Sequence, residues 1–181
     1  MLQRLRAEIA RLEGFSPPGK ACYCPTGWSA VDAALPGGGL REGALHEIHA
    51  PDPADGAAMG FAARLMANFQ SRDPGRTVLW ASCRTDLFAP GLQAAGVDPA
   101  RLLVTRCQSS SETLYACEEG LKTKALSSIF SEIGEVDFTV SRRLQLAAAE
   151  AGVTLILLRP ARFGGEPSAA ATRWRAVSCA G

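Results

Sequence analysis

The sequence predicts an α/β fold, in which a mostly parallel, twisted sheet carries helices on both faces. Short apolar runs that are typical of buried strands alternate along the chain with longer segments of helical periodicity. Start and stop signals for helices lie between these runs, and strands joined by crossover helices form parallel sheets. The 181 residues are 47% hydrophobic and 20% charged, which is enough for one domain with a substantial core.

The first 19 residues are expected to form a helical arm and a linker, ahead of a core domain over residues 20–181. Four apolar residues of the arm recur at helical steps of three and four; they are Leu2, Leu5, Ile9 and Leu12. The run Ser-Pro-Pro-Gly at residues 16–19 ends the helix, because proline cannot continue it and glycine allows a turn. Three surfaces could accept the apolar stripe: the chain's own core, a second copy, or a different protein.

The central strands and the first long helix follow from the spacing of apolar residues. Residues 44–49 predict the first central strand, and residues 56–70 predict a helix that is buried over most of its surface. Four further strands are predicted at residues 77–83, 102–105, 126–133 and 153–158. The third of these has the weakest pattern, whereas the last is continuously apolar, as expected for a strand buried on both faces.

Two later helices are marked by their capping residues. Ser109 and Glu112 have the spacing of a capping box. Asp137 is a favourable N-cap for a second helix, and Gly152 can end that helix. Both helices would cross between parallel strands.

The charges of the whole chain nearly cancel, with 19 basic against 18 acidic residues and a net charge of +1. Such a balance gives no overall attraction to DNA or to a membrane, so no membrane partner is expected and any contact with DNA must be local. From residue 139 onward, however, six arginines face only two glutamates.

A candidate surface for DNA lies in this basic quarter. Near the C-terminus two arginines alternate with a tryptophan, so one strand would place both guanidinium groups on one face and the indole on the other. The candidate residues are Arg142, Arg143, Arg173, Trp174 and Arg175. In the competing interpretation these arginines pair with the six acids between residues 112 and 137, and the indole belongs to the core.

Cysteine and histidine usage indicates no metal site. The six cysteines are scattered without the spacing of a zinc site or a CxxC pair, which is typical of reduced structural thiols. His46 and His49 lie three residues apart with no further ligands to complete a site, so they are expected to be either packing residues or strand-edge residues. The first fifteen residues are charged throughout, unlike a signal peptide, and no run approaches the ~20 apolar residues of a membrane span, so we expect a cytoplasmic protein.

The loop after the first central strand occupies the position where many α/β proteins bind a nucleotide phosphate. A working P-loop, GxxxxGK followed by Ser or Thr, uses backbone N–H groups, a lysine, and a hydroxyl that holds magnesium. Here the loop consists of Ala50, Pro51, Asp52, Pro53, Ala54, Asp55, Gly56, Ala57 and Ala58. The prolines lack N–H groups, the aspartates repel phosphate, and the last two alanines replace the lysine and the hydroxyl residue.

We therefore expect a degenerate phosphate loop and no nucleotide cofactor. The alternative is an ordinary strand-to-helix turn that never held a nucleotide. Neither interpretation gives this loop a catalytic role.

Several motifs resemble the ATPase core of RecA. Those ahead of the loop are Thr26-Gly27-Trp28, Asp32, Leu35, Gly38-Gly39-Leu40, Gly43 and Glu47-Ile48. Residues 95–103 and 111–119 resemble the RecA segments that lead into and follow its third strand. Within this superfamily the sequence resembles the ImuA family of damage-inducible mutagenesis proteins, also described as SulA-like. The segments that carry this resemblance are YACEEGLK at 115–122, SRRLQLAA at 141–148, LLRP at 157–160 and TRWR at 172–175, within a similarity that spans roughly residues 20–178.

The resemblance implies a RecA-like core and a role in SOS-induced translesion DNA synthesis. The implied protein partners are ImuB, which is a catalytically inactive Y-family polymerase homologue, an error-prone replicative polymerase, and RecA. RecA subunits assemble through an N-terminal arm, so the stripe at residues 2–12 also implies possible homo-oligomers.

This chain departs from an active ATPase at further positions. On our matching, Cys83 stands where RecA-type enzymes have a water-activating glutamate, and Glu132 could stand where the magnesium-associated acid lies. The competing interpretation of Glu132 is an acid at a strand end on the protein surface. We therefore expect an adaptor rather than an enzyme. Two alternatives are a residual nucleotide-dependent ATPase and a cell-division inhibitor of the SulA type.

Overall fold

The computed structural model describes residues 21–51 and 56–178 of the chain. The predicted helical arm and the acids at positions 52 and 55 lie outside this part. Two short strands, β1 (Tyr23–Cys24) and β2 (Leu40–Arg41), pair antiparallel near its beginning. Between them lie the short helix α1 (Ser29–Ala34) and a 3-10 turn at Pro36–Gly38.

A six-stranded sheet forms the centre of the described part. Its strands are β3 (Leu45–Ala50), β4 (Thr77–Ser82), β5 (Leu102–Arg106), β6 (Leu126–Glu132), β7 (Thr154–Pro160) and β8 (Thr172–Arg175). They are arranged in the order β5-β4-β6-β7-β3-β8, and every neighbouring pair is parallel. The predicted α/β fold with a mostly parallel sheet is confirmed.

Helices cover both faces of this sheet, as predicted, and four of them lie in the described ranges after β3. They are α2 (Gly56–Arg72), α3 (Ala89–Ala94), α4 (Ser110–Gly120) and α5 (Phe138–Ala151). Helices α2 and α3 pack with Trp80 and Phe130 in one apolar cluster, while α4 and α5 pack with Leu79 and Ile129 in the other. Short 3-10 turns at Pro99–Arg101 and Ala161–Phe163 precede β5 and follow β7.

The predicted capping residues form the expected contacts. The Ser109 hydroxyl accepts a hydrogen bond from the backbone N–H of Glu112 at 3.2 Å, and the Asp137 side chain accepts one from Val140 at 2.7 Å. Gly152 ends α5 in the left-handed conformation at φ +68°, which favours glycine.

Two elements differ from the sequence-based expectation. Strand β6 has the weakest sequence pattern but lies between β4 and β7, and its first six residues are buried. Ser127, Ser128 and Ser131 obscure its apolar character, although their small side chains fit inside the core. Helix α3 was not predicted. No helix of the described ranges is long and apolar enough to cross a membrane.

Candidate functional site

The position of the phosphate loop is only partly described. Helix α2 begins at Gly56, so the residues matched to the P-loop lysine and hydroxyl, Ala57 and Ala58, lie in its first turn. Ala58 is fully buried, and neither methyl group can contact phosphate or magnesium as those side chains do. Asp52, Pro53 and Asp55 lie outside the described residues, so the repulsion of phosphate by this loop stays a prediction.

The Thr26-Gly27-Trp28 motif and Asp32 form one local structure. The Asp32 carboxylate accepts hydrogen bonds from the N–H and the hydroxyl of Thr26, both at 2.7 Å, and from the N–H of Gly27 at 3.3 Å. The hydrogen bond from the Thr26 hydroxyl is the main cause of the lowered pKa of Asp32. These residues therefore hold a turn together, and this structural role accounts for the part of the RecA-like motif that they form.

A cavity of about 500 Å³ opens at the carboxyl ends of β4, β5 and β6. Parallel sheets bind ligands at this edge. Its apolar lining includes Trp80, Phe88, Leu92 and Val104, with polar groups from Ser82 and Glu132. Most ligand pockets combine such a lining with a few polar groups.

Glu132 ends β6, as the competing interpretation has it, but its side chain is only 12% exposed and faces the cavity. One carboxylate oxygen accepts a hydrogen bond from the Ser82 hydroxyl at 2.7 Å, and Arg84 Nε lies 3.8 Å away. The other oxygen is buried without a hydrogen-bond partner among the described residues. Burial raises the pKa of Glu132 because it disfavours the charged form.

The position matched to the water-activating glutamate of RecA-type enzymes carries a different group. Cys83 follows β4 and is exposed, with its Sγ 3.4 Å from the Thr113 hydroxyl, so the matched position carries a thiol where water activation requires a carboxylate. Within the described ranges no group of three or more His, Cys, Asp or Glu side chains could hold a metal ion.

His46 is a packed core residue, as the sequence suggested, but it lies within β3 and is fully buried. Its Nε2 donates to the carbonyl oxygen of Arg41 at 2.8 Å, so its Nδ1 accepts from the Thr172 hydroxyl at 2.8 Å. Burial lowers the pKa of His46 to about 4, and the ring is therefore neutral at pH 7.

A buried ionic cluster joins β7, β3 and β8 between the middle of these strands and their carboxyl ends. Glu47 is completely buried, and its carboxylate accepts hydrogen bonds from Arg159 at 3.1 Å, Ser168 at 2.7 Å and His49 at 2.9 Å. Arg173 Nε lies 3.3 Å from the same carboxylate. Burial alone would raise the pKa of Glu47, but the hydrogen bonds from His49 and Ser168 and the charge of Arg159 hold it at about 2.

Arg159 contacts several further groups from the interior of the sheet. Its guanidinium is fully buried and also donates to the carbonyl oxygens of Gly134 at 3.1 Å and Val136 at 3.2 Å. Glu166 accepts a hydrogen bond from it at 3.1 Å. The arginine count of the C-terminal quarter therefore overestimates the basic surface, because Arg159 is a core residue.

The candidate DNA residues are divided between separate places. Arg173 and Arg175 are exposed on one face of β8, and the Trp174 ring packs on Phe61 at 5.5 Å, which confirms the predicted alternation. Arg142 and Arg143 are exposed on α5 instead, where Arg143 forms an ion pair with Glu118. This pair agrees with the competing interpretation, and DNA binding by these five residues stays a prediction.

Sequence reasoning did not identify Glu47 and His49 as members of a cluster. One local signal was present, because three ionisable residues occur within the six-residue strand LHEIHA, where parallel strands are usually apolar. Their partners Arg159, Ser168 and Arg173 are more than 100 positions away and come close only through the pairing of β3 with β7 and β8.

Comparison with known proteins identifies relatives for most of the chain. The proteins ImuA of two strains of Caulobacter vibrioides are each 37% identical over 161 residues, covering 82% of this chain. The chain spans 66% of the length of these relatives. No protein-family model matches the sequence.

The fold is also similar to a solved structure. The crystal structure of SulA from Pseudomonas aeruginosa superposes with a TM-score of 0.53 at 16% identity, covering 64% of this chain and 97% of SulA. At this identity the similarity concerns the fold alone.

Proposed function

Because this chain belongs to the ImuA family, we propose that it is a non-catalytic accessory protein of SOS-induced translesion DNA synthesis. In this role it acts as an adaptor and holds protein partners together. The partners are an inactive Y-family polymerase homologue of the ImuB type, an error-prone replicative polymerase, or RecA. The 37% identity to ImuA is the observation that carries the proposal.

The residues at the matched catalytic positions support the non-catalytic part. Ala57 and Ala58 replace an ammonium and a hydroxyl, and Cys83 replaces a carboxylate. Phosphoryl transfer depends almost entirely on positioned charges and magnesium. Without those groups at these positions, we expect the chain neither to bind ATP tightly nor to hydrolyse it.

The proposal is tested by combining a genetic assay with direct binding measurements. Deletion of the gene is expected to lower the frequency of damage-induced mutation, and the purified chain is expected to give no heat of binding with ATP and magnesium in calorimetry. Co-purification from damage-treated cells should then identify the polymerase-related partner. ATP binding with hydrolysis would establish the residual ATPase instead, and inhibition of division-protein filaments with unchanged mutation frequency would establish a division inhibitor.

We further propose that the stripe of Leu2, Leu5, Ile9 and Leu12, which lies outside the described residues, contacts a partner or a second copy. Apolar residues at this spacing present one continuous face when helical. Deletion of residues 1–15 is expected to change the oligomeric state in light scattering or to abolish the partner pull-down. If both stay unchanged in a folded deletion variant, the arm has no intermolecular role.

A further inference from the structure

The two edges of the central sheet present different surfaces to solvent. Strand β8 forms one edge; its Arg173 and Arg175 are exposed, and its Trp174 packs on Phe61. Charged side chains on an edge strand discourage pairing with another chain. Strand β5 forms the other edge, where four of its five residues are exposed and only Arg106 is charged. The adaptor role proposed above depends on neither edge.

Apolar side chains are concentrated at the β5 edge. Leu103 and Val104 are each 55% exposed, and Phe88, which precedes α3, is 69% exposed. Val104 and Phe88 line the cavity of about 500 Å³ together. Leu103 points to the opposite face of the strand, because successive side chains alternate. Exposed apolar surface that gathers in one place is typical of a protein interface.

The backbone of β5 leaves hydrogen-bonding groups directed away from the sheet. In the described ranges β5 pairs with β4 alone, and the N–H of Cys107 donates to the carbonyl oxygen of Ser82 at 3.0 Å. Because backbone groups alternate sides along a strand, those of every second residue before Cys107 also point to β4. Val104 and Arg106 therefore direct both their N–H and their C=O groups outward.

An antiparallel pair of two β5 strands centred on Val104 matches these groups. A two-fold axis perpendicular to the sheet places Val104 opposite Val104 of a second copy, and Arg106 opposite Leu102. Residues that lie opposite each other then point to the same face of the extended sheet, and their free backbone groups meet. The N–H of Leu102 already donates to the carbonyl oxygen of Pro99, so the pair would form about four hydrogen bonds.

The charges of β5 also permit pairing with itself. In this register each Arg106 lies opposite an apolar residue, Leu102. The two Arg106 residues are separated by four positions along the strands, which is roughly 14 Å. This distance exceeds the screening length of about 8 Å at physiological salt, so no like charges oppose the pair. The β5 edge is thus complementary to itself in its backbone groups, its apolar residues and its charges.

We propose that two copies of this chain form a symmetric dimer through antiparallel pairing of their β5 strands, which joins the two central sheets into one. The hydrogen bonds of the backbone and the mutual burial of the exposed apolar side chains stabilise it. A single strand pair buries less than the roughly 800 Å² per partner of a standard interface. The dimer is therefore weak, with a dissociation constant of about 1–100 µM.

The experiment measures the mass of the full chain by sedimentation equilibrium from about 1 to about 200 µM, which spans the expected dissociation constant. Val104→Asp places two carboxylates opposite each other, on Cα atoms about 5.5 Å apart, and should weaken dimerisation by at least about tenfold. The matched control is Val177→Asp, which adds the same charge at a valine that is 51% exposed and follows β8. Its expected change is under about twofold.

Mixing two oppositely charged variants tests the register. Val104→Lys alone should weaken dimerisation as Val104→Asp does, because like charges again lie opposite each other. An equimolar mixture of the two variants should associate about tenfold more tightly than either variant alone, because the two-fold axis makes the opposite charges neighbours. Pairing through another surface would not give this rescue.

Amide hydrogen exchange of the wild type supplies a readout that needs no variant. The N–H groups of Val104 and Arg106 should exchange more slowly at about 200 µM than at about 1 µM, because pairing protects them. The exchange rates of residues 172–175 on the other edge should stay the same.

A monomer at every concentration, equal weakening by Val104→Asp and Val177→Asp, or no association of the mixed variants would overturn the proposal. A full chain that dimerises only after deletion of residues 1–15 would assign the edge to the arm, and protection of Val104 only in a complex with another protein would assign it to that protein; both would overturn it. The adaptor role is tested separately, since mutation frequency and co-purification do not measure the mass of the free chain.

Discussion

Two carboxylates of the sheet, Glu47 within β3 and the largely buried Glu132 at the end of β6, lie in opposite electrostatic settings. Glu47 accepts hydrogen bonds from Arg159, His49 and Ser168, and its pKa is held at about 2. Glu132 accepts one hydrogen bond from Ser82 and has one oxygen without a partner in the described part of the chain, and burial raises its pKa.

The difference shows how the surroundings of a carboxylate decide its charge. Transfer of an ion from water is costly, so a buried acid either gathers donors and cations or favours its protonated form. Glu47 in the ionic cluster has gathered donors and cations. Glu132, in the cavity beside β4, β5 and β6, instead favours its protonated form. All hydrogen-bonding positions of the ionised Glu47 carboxylate are used within the cluster. The Glu132 carboxylate lines a cavity and has one oxygen that can still accept a hydrogen bond.

The largest expected effect comes from breaking the ionic cluster. Arg159→Met should lower the free energy of unfolding by about 3–5 kcal/mol, because it leaves the buried Glu47 carboxylate without its main cation. Urea denaturation measures the change. Arg72→Met, which breaks the exposed pair with Glu42, is the matched control and should cost about 1 kcal/mol or less.

A double variant sharpens this result. Combining Arg159→Met with Glu47→Leu removes both charges, and buried ion pairs can be replaced by apolar residues at little cost. The double variant should therefore lose less stability than the sum of the two single variants. Additive losses would mean that the two residues act independently and that the cluster is not one unit.

A second, smaller effect is the loss of folding stability at acidic pH through protonation of Glu47. Because the pKa of Glu47 is lowered from its ordinary value near 4.5 to about 2, its stabilising effect is complete above the ordinary value and is lost as the pH falls through about 2. The shift corresponds to about 3 kcal/mol at most. Comparing wild type with Glu47→Gln in denaturant at several pH values isolates it, since the other acids titrate in both. Parallel stability curves for the two proteins between about pH 5 and about pH 2 would contradict the assignment.

The sequence predicts the helix caps of this fold but not the surroundings of Glu47 and Glu132. Ser109, Asp137 and Gly152 act on backbone groups within four residues, so their roles follow from spacing alone. Glu47 and Arg159 are 112 residues apart, and only the adjacency of β3 and β7 brings them together. The surroundings of Glu132 depend likewise on β6 lying beside β4, and the serines of β6 made its central position hard to predict.

The smallest expected effect comes from neutralising the acid in the cavity. The folded state holds the proton of Glu132 more tightly than the unfolded chain does, because its pKa is raised; ionisation therefore reduces stability as the pH rises above the ordinary value of about 4.5. Glu132→Gln removes this penalty and should raise the free energy of unfolding at pH 7 by about 1 kcal/mol, the scale of one hydrogen bond to a buried group. The gain should vanish at about pH 3, where the wild-type acid is protonated in both states. Ser82→Ala tests the hydrogen bond apart from the charge. It removes the donor that favours the ionised form of Glu132. It should therefore lower the free energy of unfolding more at pH 7 than at about pH 4. A Glu132→Gln variant that is less stable than the wild type at pH 7 would mean that the partners of the ionised carboxylate more than offset its burial, as they do for Glu47.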